Sequence, residues 1–328
     1  MIEPKQPTTP PDSLASSEVG LSSGTVPAVP RSSSATLAPF RQKRVITIQD
    51  VSCVGKCSLT VALPILSAAG IETSILPTAI LSTHTGGFTG YTFRDLTEDV
   101  RPICQHWQTL DLAVDAIYTG YLGSQEQQRL IADIFANFGA ADTLIMVDPA
   151  MADEGRLYPA FDNEFALGMR DLVTTADLIV PNLTEAALLL QKPYQGSDYT
   201  QGYLEQTLRE LAALGPRQVV VTGVSFAPDR LGAAAYDRET GHFDYYFTER
   251  VEGYYHGTGD IYSSVLLAAL LNDRGLGEAI GVACEFTVGA IRRTAQAGTD
   301  PKYGVDFEHQ LGQLLTLLNP APVPAMLH

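Results

Sequence analysis

From Lys43 onward, short β-branched and aliphatic runs alternate with stretches whose apolar positions recur every three or four residues. Val45-Ile46-Thr47-Ile48-Gln49 predicts a buried strand, Leu59 to Ala69 a helix closed by Gly70, and Glu72 to Leu76 a second strand ended by Pro77. Thr83 to Arg94 is polar, glycine-rich and aromatic, too irregular for either element, and predicts a mobile flap. Trp107 falls in a helical pattern with Ile103 and Leu110 and is expected in the core. Further strands are predicted at Ala116 to Thr119, Thr143 to Val147, Leu178 to Val180 and Gln218 to Thr222, the last stopping at Gly223. Between them come helices from Ser124 to about Phe138, from Glu164 to Thr175, over Ala186 to Leu190 with Thr184 as cap, and from Tyr203 to Leu214. Gly232 to Tyr236 and Phe243 to Phe247, around the turn Glu239-Thr240-Gly241-His242, predict a β-hairpin. Ile261 to Asn272 and Gly277 to Gln296 predict two long helices.

Apolar strands joined by helical crossovers imply an α/β fold: a mostly parallel central sheet with helices on both faces. No composition break or repeat divides residues 43–328, so one domain is expected there. Residues 1–42 are rich in Ser, Thr and Pro, without hydrophobic periodicity or a signal-peptide core, and are expected to be a disordered tail.

Of the 328 residues, 45% are hydrophobic, enough to bury a full core. The formal net charge of −16 argues against a nucleic-acid or anionic-membrane surface, but leaves room for phosphates held by backbone amides and a metal. No apolar run reaches the ~18 residues of a membrane span. Four cysteines form neither a disulfide framework nor a zinc pattern, and a reduced cytoplasmic protein is expected.

Ligands of such sheets bind at the carboxyl ends of the strands, and polar residues gather there. They are Asp50, Gly120-Tyr121, Asp148, Asn182 with Glu185, Thr222-Gly223 and the loop Gly257-Thr258-Gly259-Asp260. That loop opens a helix, where unpaired N–H groups and the positive dipole end favour an anion. Asp260 beside it can take a proton from a hydroxyl; equally, Gly-x-Gly-Asp before a helix can be a tight turn with Asp as cap. Asp148, Asp153 and Glu185 offer hard oxygen ligands for Mg²⁺ held largely through water with substrate phosphates. His84 is the histidine best placed to touch a ligand. Gly55-Lys56-Cys57-Ser58 is not a P-loop, because Asp50 stands where its first glycine belongs and Cys57 where its Ser/Thr belongs.

These motifs, in this order and spacing, resemble the ribokinase-like superfamily, and within it the pyridoxal/pyridoxamine kinases. The resemblance spans residues 43 to 316. It rests on Gly257-Thr258-Gly259-Asp260, Gly120-Tyr121-Leu122-Gly123-Ser124, Asp148-Pro149-Ala150-Met151, Pro181-Asn182-Leu183-Thr184-Glu185 and Leu81-Ser82-Thr83-His84-Thr85. The stretch Leu81 to Leu96 is similar to the bacterial pyridoxamine kinase subgroup. The resemblance implies ATP as co-substrate, Mg²⁺, a homodimer, and phosphorylation of the 5′-hydroxymethyl of a B6 vitamer. It further implies Asp260 as base, with Gly257, Thr258 and Gly259 amides on the transferring phosphate. Asp148, Asp153 and Glu185 would order Mg²⁺; Asn182, Glu185, Thr222 and Gly223 would lie near ATP; Asp50, His84 and Tyr121 would face the pyridine ring. Three departures are Asp50 for a common Ser, Val180 for a frequent Thr and Ala152 for a frequent Gly. The alternatives are a hydroxymethylpyrimidine kinase, or a catalytically idle B6-binding protein that would be expected to lose Asp260 or the metal acids.

Overall fold

The structure is a computed structural model and describes residues 41–319. The expected tail, 1–42, lies outside the described residues except for Arg41 and Gln42. Order is already present at that boundary, where Arg41 and Lys43 both pair with Asp115.

The chain runs β1 (Arg44–Ser52), α1 (Leu59–Ala68), β2 (Glu72–Leu81), β3 (Phe93–Asp95), α2 (Thr97–Trp107), β4 (Ala116–Thr119), α3 (Gln125–Phe138) and β5 (Leu144–Val147). A two-residue ribbon follows, β6 (Ala152–Asp153) and β7 (Arg156–Leu157), then α4 (Asn163–Val173), β8 (Leu178–Ile179), α5 (Leu183–Leu189) and α6 (Gln201–Ala213). The last elements are β9 (Gln218–Val224), β10 (Arg230–Asp237), β11 (His242–Glu249), α7 (Thr258–Leu271), α8 (Leu276–Ala297) and α9 (Leu311–Leu318). Short 3-10 turns at Pro301–Tyr303 and Glu308–Gln310 precede α9.

The main sheet has the order β11-β10-β9-β8-β5-β4-β1-β2-β3. Its middle, from β9 to β2, is parallel, and antiparallel strands close both edges. Alternate strand residues feed two cores. Val45, Tyr118, Met146 and Val220 face α1, α7 and α8, whereas Ile46, Ile117, Val147 and Val221 face α3, α4 and α6. The chain moves outward from β1 to β2 and then returns to β4 on the other side of β1. That reversal leaves a crevice above the carboxyl ends of β1 and β4, where open α/β sheets take their ligands.

Three local expectations are corrected. β2 does not end at Pro77 but runs to Leu81. Pro77 is tolerated because the β1 register shifts just beyond it, and β3 begins to pair only at Ala79, so no outer ladder bond is lost. The cap of α5 is Asn182, not Thr184, because the Asn182 side chain accepts from the amides of Thr184 and Glu185. Trp107 is only partly buried, edge-on to Phe138, and Leu110 is exposed beyond the end of α2.

Candidate active site

Helix α7 starts at Thr258, so Gly259 and Asp260 lie in its first turn. Gly257 is its cap, in the left-handed region at φ 76°, and a Cβ there would come within 1.9 Å of the Lys56 carbonyl oxygen. Only glycine fits, and the close approach locks the 52–58 loop against the start of α7. Gly259 differs. Its φ is ordinary, and no neighbouring atom lies within 4 Å of where its Cβ would be. A glycine in a first helical turn costs up to about 1 kcal/mol relative to alanine, so packing gives no reason for it. Free backbone approach by a ligand does. No side chain caps α7, which leaves its first amides for an anion.

Asp260 is half-buried beneath this turn. Burial pushes its carboxyl up to about 7; the Ser58 backbone pulls the other way, and the charges of Asp148 and Asp50 add to the rise. A carboxylate titrating near neutrality is suited to accept a hydroxyl proton.

Asp148 ends β5. It is buried and accepts a 2.7 Å hydrogen bond from Ser263 Oγ, on the next turn of α7 after Asp260. Glu185 is also buried. Its Oε1 accepts from the amides of Met151 (3.0 Å) and Ala152 (3.4 Å), and its Oε2 from Asn182 (2.9 Å), which leaves one lone pair of Oε2 uncommitted. Burial raises the carboxyls of both Asp148 and Glu185, and the charge of Asp148 raises Glu185 further. Asp153 is half-buried on β6 and accepts from Tyr254 Oη at 3.1 Å and from the Glu154 amide. Among the described residues no three His, Cys, Asp or Glu side chains gather closely enough to hold a metal unaided. Asp148, Asp153 and Glu185 therefore do not form a direct ligand cage. Two buried, mutually repelling carboxyls beside an anion-binding helix start nonetheless suit a divalent cation carried on phosphates and reached through water.

The Asn182 side chain is consumed internally: besides capping α5, its Nδ2 donates to the Ala152 carbonyl at 2.7 Å. It ties the 150–153 loop to α5. Asn182 bridges Thr222, whose amide bonds the Pro181 carbonyl, and the next residue, Gly223, is exposed at φ 72° with open space over it. Asn182, after β8, and Thr222-Gly223, which lie within β9 because that strand runs on to Val224 and does not stop at Gly223, thus form an open shelf.

On the β1 side, Asp50 is buried and accepts from Ser52 Oγ at 2.9 Å, and burial raises its carboxyl. Tyr121 lies half-buried against Phe161, with ring centroids 5.4 Å apart. His84 departs from the picture of a flap side chain with a free polar atom for a ligand. It is 5% exposed, and its Nε2 donates to the Lys302 carbonyl at 2.6 Å while Nδ1 accepts from the Gly86 amide. Both ring nitrogens are committed to protein, so His84 pins the flap rather than offering a free polar atom. Burial lowers its pKa. Its ring packs on Gly55, where a Cβ would clash, and lies 5.1 Å from the ring of His256.

Sequence reasoning missed His256, Tyr254, Ser58, Tyr118 and Ser263. Ser263 carried a readable signal: it is polar, three positions after Asp260, in a helical run that only it and Ser264 interrupt. Ser58 holds a positive φ of 54° at the start of α1, yet its side chain does not cap that helix.

A doubly wound sheet that carries a glycine helix start, an aspartate in its first turn and two buried carboxyls is an arrangement suited to phosphoryl transfer. The phosphomethylpyrimidine kinase family model matches residues 66–304, and the chain belongs to that family. A Bacteroides thetaiotaomicron protein, provisionally described as a phosphomethylpyrimidine kinase and crystallised with pyridoxal, is 37% identical. That likeness covers 87% of this chain and 98% of that one, with a TM-score of 0.81. Pyridoxal kinase from Lactobacillus plantarum is 34% identical over 84% of this chain and 97% of its own, with a TM-score of 0.77. A pyridoxine/pyridoxal/pyridoxamine kinase of Bordetella avium is 28% identical over 268 residues, 77% of this chain and 86% of the relative. The ribokinase-like fold and the kinase class expected from the motifs hold. Among the described residues no helix is long and apolar enough to cross a membrane.

Proposed function

We propose that the protein transfers the γ-phosphoryl group of ATP to the 5′-hydroxymethyl of a B6 vitamer: pyridoxal, pyridoxamine or pyridoxine. The observation that carries the reading is Asp260, raised to about 7, in the first turn of a helix whose glycine leaves its amides open. Asp260 accepts the hydroxyl proton as that oxygen attacks phosphorus, and the Gly257, Thr258 and Gly259 amides stabilise the charge on the transferring group. The shelf of Asn182, Thr222 and Gly223 lies where the rest of the nucleotide would run. Asp148 and Glu185, with Asp153 nearby, would hold the waters of Mg²⁺, which when bound neutralises charge on the phosphates. Asp50 and Tyr121 face the acceptor side, and His84 keeps the flap down over it. Excluding water there suppresses hydrolysis of ATP. The same reading takes the protein as a cytoplasmic homodimer.

The family and the pyridoxal-bound relative support a flat heteroaromatic alcohol, and hydroxymethylpyrimidine is the competing acceptor of the same shape. ADP release measured with the three vitamers and with hydroxymethylpyrimidine decides between them. We expect the highest kcat/KM with a B6 vitamer. Preference for hydroxymethylpyrimidine would move the assignment to thiamine synthesis. Nucleotide binding with no ADP release for any acceptor would make the protein a non-catalytic binder.

A further inference from the structure

Helix α7 is almost wholly apolar on its buried side: Ile261, Val265, Leu266, Leu267, Ala268 and Ala269 are all fully buried. Two serines interrupt it. Ser264 Oγ bonds back to the Asp260 carbonyl, the usual outlet for a helical hydroxyl. Ser263 does not. It is 1% exposed, and its hydroxyl goes to Asp148 Oδ2 at 2.7 Å, across 115 residues of sequence. Its position three residues after Asp260 puts both side chains on one helical face. The neighbouring Tyr118 hydroxyl is fully buried and has no hydrogen-bond partner.

We propose that Ser263 is a positioning residue that fixes the Asp148 carboxylate relative to Asp260, so that one rigid turn of α7 sets both the proton acceptor and the cation-facing acid. The hydroxyl takes one lone pair of Oδ2 and leaves the others of the carboxylate for a ligand or its waters. Without it, the bond to the Ala150 backbone remains but the tie between Asp148 and α7 is lost, and each binding of the metal–nucleotide must restore that alignment. Alanine is otherwise a better helix former than serine and fits the site, so packing favours alanine there. The inference rests on the proposed role of Asp148 toward Mg²⁺.

The test uses the full chain and two variants, Ser263→Ala and Asp148→Asn. For Ser263→Ala we expect an unchanged or higher melting temperature and an unchanged KM for the vitamer. The half-saturating Mg²⁺ concentration should rise by about tenfold, as when a residue that orients a metal-facing group is lost, with kcat largely restored at saturating Mg²⁺. Binding of Mn²⁺ with ADP, followed by electron paramagnetic resonance without vitamer, should weaken by a similar factor, while ADP binding in EDTA stays the same. Wild-type metal dependence in Ser263→Ala overturns the proposal. So does a fall in melting temperature and kcat that Mg²⁺ does not relieve, which would mark a merely structural serine. If Asp148→Asn shifts metal dependence and Ser263→Ala does not, only this inference fails. If neither shifts it, the reading of Asp148 fails as well.

Discussion

Asp260 sits at about 7 instead of the ordinary 3.8 because folding takes it out of water beside two other acids. The base must be ionised, so kcat/KM should climb with pH through about 7 and fall to about a tenth of its plateau one unit below. The same shift has a stability consequence. The unfolded chain releases this proton near 3.8 and the folded chain only near 7, so stability is lost as pH rises across that window. Asp260→Asn removes the charge, and should melt at or above wild type at pH 8, with the gap closing toward pH 4. Turnover of the variant should fall by about 10² or more while nucleotide binding persists. A wild-type rate in Asp260→Asn would dismiss the base assignment, and a melting gap that widens toward acid would dismiss the sign of the shift.

At the level of elements, the two glycines of the α7 start are alike in sequence and opposite in physical role. Gly257 is required by the fold, through its positive φ and the Lys56 carbonyl; Gly259 is not. Gly257→Ala should lower the denaturation midpoint, at a cost of about 1–3 kcal/mol from backbone strain alone. Gly259→Ala should leave the midpoint the same or higher and still cut turnover, because its methyl occupies the phosphate approach. Equal destabilisation by both would contradict this division. Parallel strands and long helices were legible because each carries its own period, and Asp148, Asn182 and Asp260 because they fall at strand ends or helix starts. What stayed hidden depends on contacts between distant segments. Examples are Pro77 inside β2, saved by a register shift, and Glu185, three of whose lone pairs are taken by amides from two segments. His84 is a third: its place in the flap suggested a ligand contact, yet its Nε2 is taken by the Lys302 carbonyl over two hundred residues away.

On the scale of the whole molecule, that last contact belongs to a strap formed by residues 300–310, where the chain returns beneath the site after α8. The Lys56 amide donates to the Tyr303 carbonyl, and its Nζ meets Asp306 and Glu308 at 2.9 Å each, so the strap holds the 52–58 loop as well as the flap. The ion pairs are partly exposed and contribute little by themselves. The anchor is apolar: Val305 and Phe307 are fully buried in the core shared by α1, α7 and α8. Phe307→Ala should cost about 3–5 kcal/mol, a large part of the 5–15 kcal/mol typical of a folded protein. A urea titration followed by fluorescence would show it as a lower midpoint with an unchanged slope. In conditions where the variant remains folded, loosening the strap should raise KM for the acceptor more than KM for ATP, because Lys302 holds His84 on the acceptor side alone. A loss below about 1 kcal/mol would mean that Phe307 anchors nothing. Equal rises in both KM values would mean that the strap supports the whole site and not the flap in particular.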